Sequence, residues 1–160
     1  MHRRYMLAFG LVLLAITARS ANATEPTACT VTIGLGTSEP LTAIQLTIDY
    51  SQTSGTFVGV GAQVECIPLS ESATVSAHDS CSSDYVACQS GPGRRLAIAL
   101  LANHPEGFVG PVEIARCAFS ANTSPSSMDF GVTGVTASNL AFADADPVPL
   151  IDVLSVDCDD

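Results

Sequence analysis

Outside the first 23 positions, the residues equipped for chemistry are six cysteines, two histidines and a surplus of carboxylates. Cys29, Cys66, Cys81, Cys88, Cys117 and Cys158 form an even set, which in an oxidising compartment reads as disulfides whose pairing spacing alone leaves open. Cys81 and Cys88 enclose only six residues of a Ser/Gly/Asp-rich stretch, and a local bridge would tie down a loop too polar to be held by packing. No Cys-x-x-Cys or His-x-x-x-His spacing occurs, so zinc is not expected. His78 stands beside Asp79 and His104 before Pro105, without a Gly-x-Ser-x-Gly or comparable partner, and both are expected to be structural. Asp144-x-Asp146 and the tail of Asp157, Asp159 and Asp160 carry oxygens suited to calcium. They lack the glycine and distal glutamate of a helix-loop-helix site, so a solvated turn is the plainer reading of the pair Asp144 and Asp146. Paired carboxylates for glycoside cleavage need a deep cleft, which a small chain without Trp does not promise. The expectation is a non-catalytic protein.

Aromatic side chains offer another chemistry, since exposed rings stack on sugars. Tyr50, Phe57, Phe119, Phe130 and Phe142 fit inward positions. Tyr85 and Phe108 are the surface candidates for ligand binding. An exposed coplanar pair there would favour sugar, whereas a bare Thr/Ser/Gln sheet face would favour a protein.

These residues are framed by a leader and a single domain. Residues 1–23 read as a secretory signal peptide, with Arg3 and Arg4 before an apolar run and Ala21-Asn22-Ala23 fitting the small-x-small cleavage rule. Arg3-Arg4 also admits a twin-arginine route. The apolar run is too short to span a bilayer and none follows, so no membrane insertion is expected. Residues 24–160 have the size of one domain, destined for the exterior or the periplasm. Three of the six basic residues fall in the leader, leaving Arg94, Arg95 and Arg116 against all 16 acids, a net charge of −13 with no lysine. Nucleic acid and anionic membranes are poor partners for such a surface.

The elements that must position the candidates are strands. Alternation marks 29–35, with Cys29, Val31, Ile33 and Leu35 on one face, and 41–50, with Ile44, Leu46, Ile48 and Tyr50 inward. An extended path over 56–60, a short strand through Val64 and Cys66, and another over 73–78 follow. The run 94–101 is apolar on both parities and predicts an interior strand covered above and below. Asn103-His104-Pro105-Glu106-Gly107 has hairpin-loop chemistry, so 94–101 and 111–119 are expected to pair as the spine of an antiparallel sheet. Strands over 128–135 and 148–156 close the chain. Val/Thr/Ser/Gly richness, frequent turns and the absence of amphipathic helices predict an all-β antiparallel sandwich.

Particular motifs carry a family likeness. Leu46-Thr47-Ile48-Asp49-Tyr50 leads into Phe57-Val58-Gly59-Val60; Leu96-Ala97-Ile98, Gly107-Phe108-Val109-Gly110 and Cys117-Ala118-Phe119 follow; and the late segment runs from Val135 to Asp146. The order resembles a cohesin domain, over about 110 residues. The resemblance implies a jelly-roll sandwich of about nine strands and a scaffold module recognising an extracellular, dockerin-like protein. A carbohydrate-binding module acting on polysaccharide is the alternative. Ser51 after the Tyr and the six cysteines depart from the family pattern. On this alignment Cys66 and Cys117 lie in different core strands, implying a cross-sheet bridge worth roughly 3 to 5 kcal/mol. Cys29 and Cys158 would tie the first strand to the last.

Overall fold

The structure is a computed structural model that describes residues 26–37, 39–60, 63–70, 73–79, 93–146 and 148–159. Among the described residues, period-two alternation of apolar and polar residues becomes eleven strands: β1 (Thr27–Leu35), β2 (Leu41–Asp49), β3 (Thr56–Phe57), β4 (Gly59–Val60), β5 (Gln63–Val64), β6 (Cys66–Pro68), β7 (Ala73–Asp79), β8 (Arg95–Ala102), β9 (Val112–Ala121), β10 (Gly131–Asn139) and β11 (Ile151–Cys158). One 3-10 turn, Ser127–Asp129, precedes β10. It takes the place expected for the start of a strand and leaves Met128 exposed. Two antiparallel sheets result. One runs β11-β1-β9-β3, with β6 also on β9; the other runs β10-β2-β8-β7-β5-β4.

Alternate residues of both sheets meet in one core. Val31, Ile33, Cys117, Phe119 and Val153 come from the first sheet, and Ile44, Leu46, Ile48, Leu96, Ile98 and Leu100 from the second. Each fully buried aliphatic or aromatic side chain stabilises by about 1.5–3 kcal/mol relative to exposure. At one end of the core Tyr50, Phe57, Phe119 and Phe130 pack edge to face, with ring centroids 5.0–6.2 Å apart, the arrangement that ring quadrupoles favour.

The expected spine is different in the structure. β8 pairs with β2 and β7 in the second sheet, while β9 pairs with β1 in the first. The connection between β8 and β9 is thus a crossover and not a hairpin. It is stitched to β2, where Phe108 and Leu41 exchange backbone hydrogen bonds of 2.7 and 2.9 Å, and Gly110 N–H donates to Thr37 O. Gly107 makes the bend at φ +66, and a Cβ there would lie 2.5 Å from Leu41 O. Nor is β8 covered on both faces. Leu96, Ile98 and Leu100 point inward, whereas Arg95, Ala97, Ala99 and Leu101 are exposed. Apolarity on both parities arose because Ala97 and Ala99 face outward and Leu101 is left half exposed, not because a third layer covers them.

Residues 56–68 also do more than extend. β3 and β6 both lie along β9, and between them the chain leaves for the far edge of the second sheet as the β4–β5 pair. Ala118 holds the two departures together, accepting from Val58 N–H and donating to Glu65 O, each at 2.9 Å.

Both observed disulfides join residues directly opposite one another in neighbouring strands. Cys29–Cys158 links β1 to β11, the first strand to the last, and Cys66–Cys117 links β6 to β9. The second is therefore a bridge within one sheet. The cross-sheet expectation fails because β6 returns to the sheet that holds β9. Cys81 and Cys88 lie outside the described residues.

A buried polar cluster closes the end where β7 and β8 meet. Tyr50 Oη donates to Asp79 Oδ2 at 2.6 Å. The Arg94 guanidinium lies 4.7 Å from the Tyr50 ring centroid and donates to Thr53 O. Desolvating these charges is tolerable only with such partners. The cluster fixes both ends from which residues 80–92 depart. No helix among the described residues is long and apolar enough to cross a membrane.

Candidate binding face

Because β8 turns small side chains outward, the outer face of the six-stranded sheet has a low centre. Cross-strand register lays its residues out in rows. Thr136, Gln45, Ala99 and Ser76 form one, spanning β10, β2, β8 and β7; Thr47, Ala97 and His78 form the next; Ala43, Leu101 and Thr74 form a third. A depression of about 270 Å³ lies over Ala97 and Ala99, walled by Gln45, Thr47, Ser76, His78 and Gly134. A second, of about 170 Å³, shares Gln45 and runs along Thr136 and Ser138 to Asp144. Together they make a track across four strands.

The chemistry of this track is hydroxyl, amide and methyl. On a chain carrying 16 acids, charge among the described residues reaches it only at its borders. Asp49 sits at one border with Arg95, Nε to Oδ2 4.0 Å, and Asp144 stands at the other. The Asp49 carboxylate is held below the usual aspartate range by hydrogen bonds from the Ser51 hydroxyl and amide, which outweigh the opposing effect of burial, with the Arg95 charge adding the smallest contribution. The Ser51 N–H to Asp49 Oδ1 bond is 2.9 Å.

The expected site residues divide sharply. His78 is on the face, exposed, while His104 lies in the β8–β9 crossover beside Glu106, in a separate cup of about 250 Å³. Asp144 and Asp146 are exposed on either side of buried Ala145, whose N–H donates to Ala137 O and holds the segment against β10. Among the described residues no three His, Cys, Asp or Glu side chains cluster as metal ligands. Tyr85 lies outside the described residues. Phe108 is not a surface aromatic: it is 5% exposed and belongs to the core, since its two backbone bonds to Leu41 turn the ring inward. Of the described residues, the exposed aromatic is Phe142, which sequence placed inside. It is 82% exposed at φ +58, at the tip of a tight turn from Asn139 to Ala143. The legible signal was Asn139 itself, whose side-chain oxygen accepts from the N–H groups of Ala141 and Ala143, the Asx-type bonding that marks turns.

No protein-family model matches this chain, and no curated protein matches it by sequence. The residues of the face are therefore read by their chemistry. A floor of Ala and Thr loses little on desolvation and offers no ring on which a sugar would stack.

Proposed function

We propose that this protein is an exported, non-catalytic recognition module of cohesin-like type, and that the outer face of its six-stranded sheet receives an extracellular, dockerin-like protein. The observation that carries this reading is the track over Ala97, Ala99, Gln45 and Thr47, which among the described residues is charge-poor and free of Phe and Tyr. Flat faces of this composition suit a protein surface, whose side chains fill shallow depressions and whose polar groups meet the hydroxyl and amide rim. The leader read at 1–23 and the two disulfides support an oxidising exterior as the place of action. Inward Phe108 weakens the polysaccharide alternative, because it removes half of the ring pair on which that alternative relied.

The test is a pair of capture experiments with residues 24–160 immobilised, one against proteins secreted by the source organism and one against insoluble glycans. The Ala99→Arg variant puts a long cation into the floor without touching the core, and stability should change by less than about 0.5 kcal/mol. The expected result is a protein retained by the wild type and lost by Ala99→Arg. Retention on glycan, or capture of protein indifferent to Ala99→Arg, refutes the assignment.

A further inference from the structure

Phe142 stands where a bulky residue is costly. The left-handed region disfavours a Cβ-bearing side chain by roughly 1–2 kcal/mol, and the ring recovers nothing by burial, being 82% exposed. The turn is nonetheless held firmly. Phe142 N–H donates to Asn139 O and Asn139 N–H to Ala143 O, both at 2.9 Å. Asn139 Oδ1 takes the two further amides, and Thr42 Oγ1 ties Asn139 O to β2. The chain thus presents an aromatic knob on a rigid mount, and backbone strain of this kind collects at functional positions.

The same end of the sandwich carries a hole. The 250 Å³ cup beside the β8–β9 crossover has an apolar wall of Leu69, Phe108, Val109, Val112 and Ile114, with a polar side that includes His104; Val109 and Val112 are nearly half exposed. A closed apolar cavity of about 150 Å³ suffices for benzene, so the cup has room for a phenylalanine ring. Knob and hole flank one loop: a Cβ on Gly107, which lines the cup, would lie 3.2 Å from Leu140 Cδ2, and Leu140 precedes Phe142 by two positions. In a single copy the turn leaves Phe142 in solvent and outside its own cup, whereas a second copy brings a knob and a cup to one interface. When knob and hole share one end, a twofold axis lets each enter the other, closing the assembly at two.

We propose that this end of the sandwich is a self-association surface, on which Phe142 of each copy fills the Val109/Val112 cup of the other. This surface adjoins the partner face at Asp144, but neither its knob nor its cup lines that face, and it rests on separate observations. Glu106 and Glu113 line the cup and Asp144 and Asp146 follow the knob. Arg116 pairs with Glu113 at 2.8 Å, which leaves Glu106, Asp144 and Asp146 as the groups at which two acidic copies repel, so association strengthens as salt is raised.

The test is sedimentation velocity on residues 24–160 from micromolar to millimolar concentration, at physiological and high salt. The expected result is a concentration-dependent rise to a plateau at twice the chain mass, favoured by salt. Phe142→Gly should weaken it by about a hundredfold or more while leaving the thermal midpoint of the monomer unchanged or higher, because glycine suits the left-handed turn. Val109→Asp blocks the cup and should have the same effect on association. An equimolar mixture of the two variants should recover a weak dimer through the single knob and single cup that remain compatible. A monomer throughout, growth beyond twice the mass, or association unaltered by Phe142→Gly overturns the proposal.

Discussion

Removing the Cys66–Cys117 bridge should cost about 4 kcal/mol, through its effect on the unfolded chain. The bond closes a loop of 51 residues and Cys29–Cys158 one of 129. Loop-closure entropy for these lengths gives about 4 and about 5 kcal/mol at 25 °C. The loops are nested, so with the inner bond intact the outer one closes an effective path of 129 − 51 = 78 residues. Its own contribution then falls to about 4.5 kcal/mol. Cys117 is 1% exposed, and truncating it adds a small cavity term to the entropic one. Against a domain stability of about 5–15 kcal/mol, either loss is a large fraction of the whole. The measurement is urea unfolding of Cys66→Ala/Cys117→Ala and of Cys29→Ala/Cys158→Ala beside the parent. Both double variants should show a lower midpoint together with a steeper dependence on urea, because a chain freed of a cross-link exposes more surface when unfolded. A loss below about 1 kcal/mol with an unchanged slope would show that neither bond restrains the unfolded chain, and the reasoning would fail.

Two further outcomes follow from the geometry. Ile98→Ala should cost about 2–5 kcal/mol in chemical denaturation, whereas Leu101→Ala, on the same strand but half exposed, should cost less than about 1 kcal/mol; similar losses would contradict a strand buried on one face only. Asp49→Asn should destabilise near neutral pH. The folded carboxylate is depressed by Ser51 and Arg95, so its contribution is present above the unfolded pKa and is lost as pH falls through the lower folded value. The urea midpoints of variant and parent should converge across that acid interval, and a gap that persists below it counts against the depressed carboxylate.

Much of this architecture was legible residue by residue. The inward sets of β1 and β2 follow from alternation, because a strand's side chains point to opposite faces whatever its neighbours are. The even cysteine count likewise needed no coordinates to be read. Which strands pair was another matter. Asn103 to Gly107 has the composition of a hairpin loop, and that composition serves a crossover equally well. In the structure Phe108 and Leu41 exchange bonds that hold the segment against β2, with Gly107 bent beneath Leu41 O, and pairing of β9 with β1 places the next strand in the other sheet. The same step moved Phe108 from surface candidate to core. Phe142 went the opposite way: in an apolar Leu-Ala-Phe stretch it looked interior, and the Asn139 turn put it in solvent.

The candidate face shows the division most plainly. Ala97 and Ala99 were visible in the sequence, but as evidence for a buried strand. Their role as an exposed floor depends on β2, β7 and β10 aligning Gln45, Thr47, Ser76, His78 and Thr136 beside them. By itself the sequence determined an all-β chain of alternating faces with cysteines suited to an oxidising exterior, because those properties are local or compositional. Strand order, the in-sheet position of Cys66–Cys117, the inward Phe108 and the outward Phe142 were decided by tertiary structure. Alternation tells a side chain which way to point, and the long-range backbone bonds that choose its neighbours leave no periodic mark along the chain.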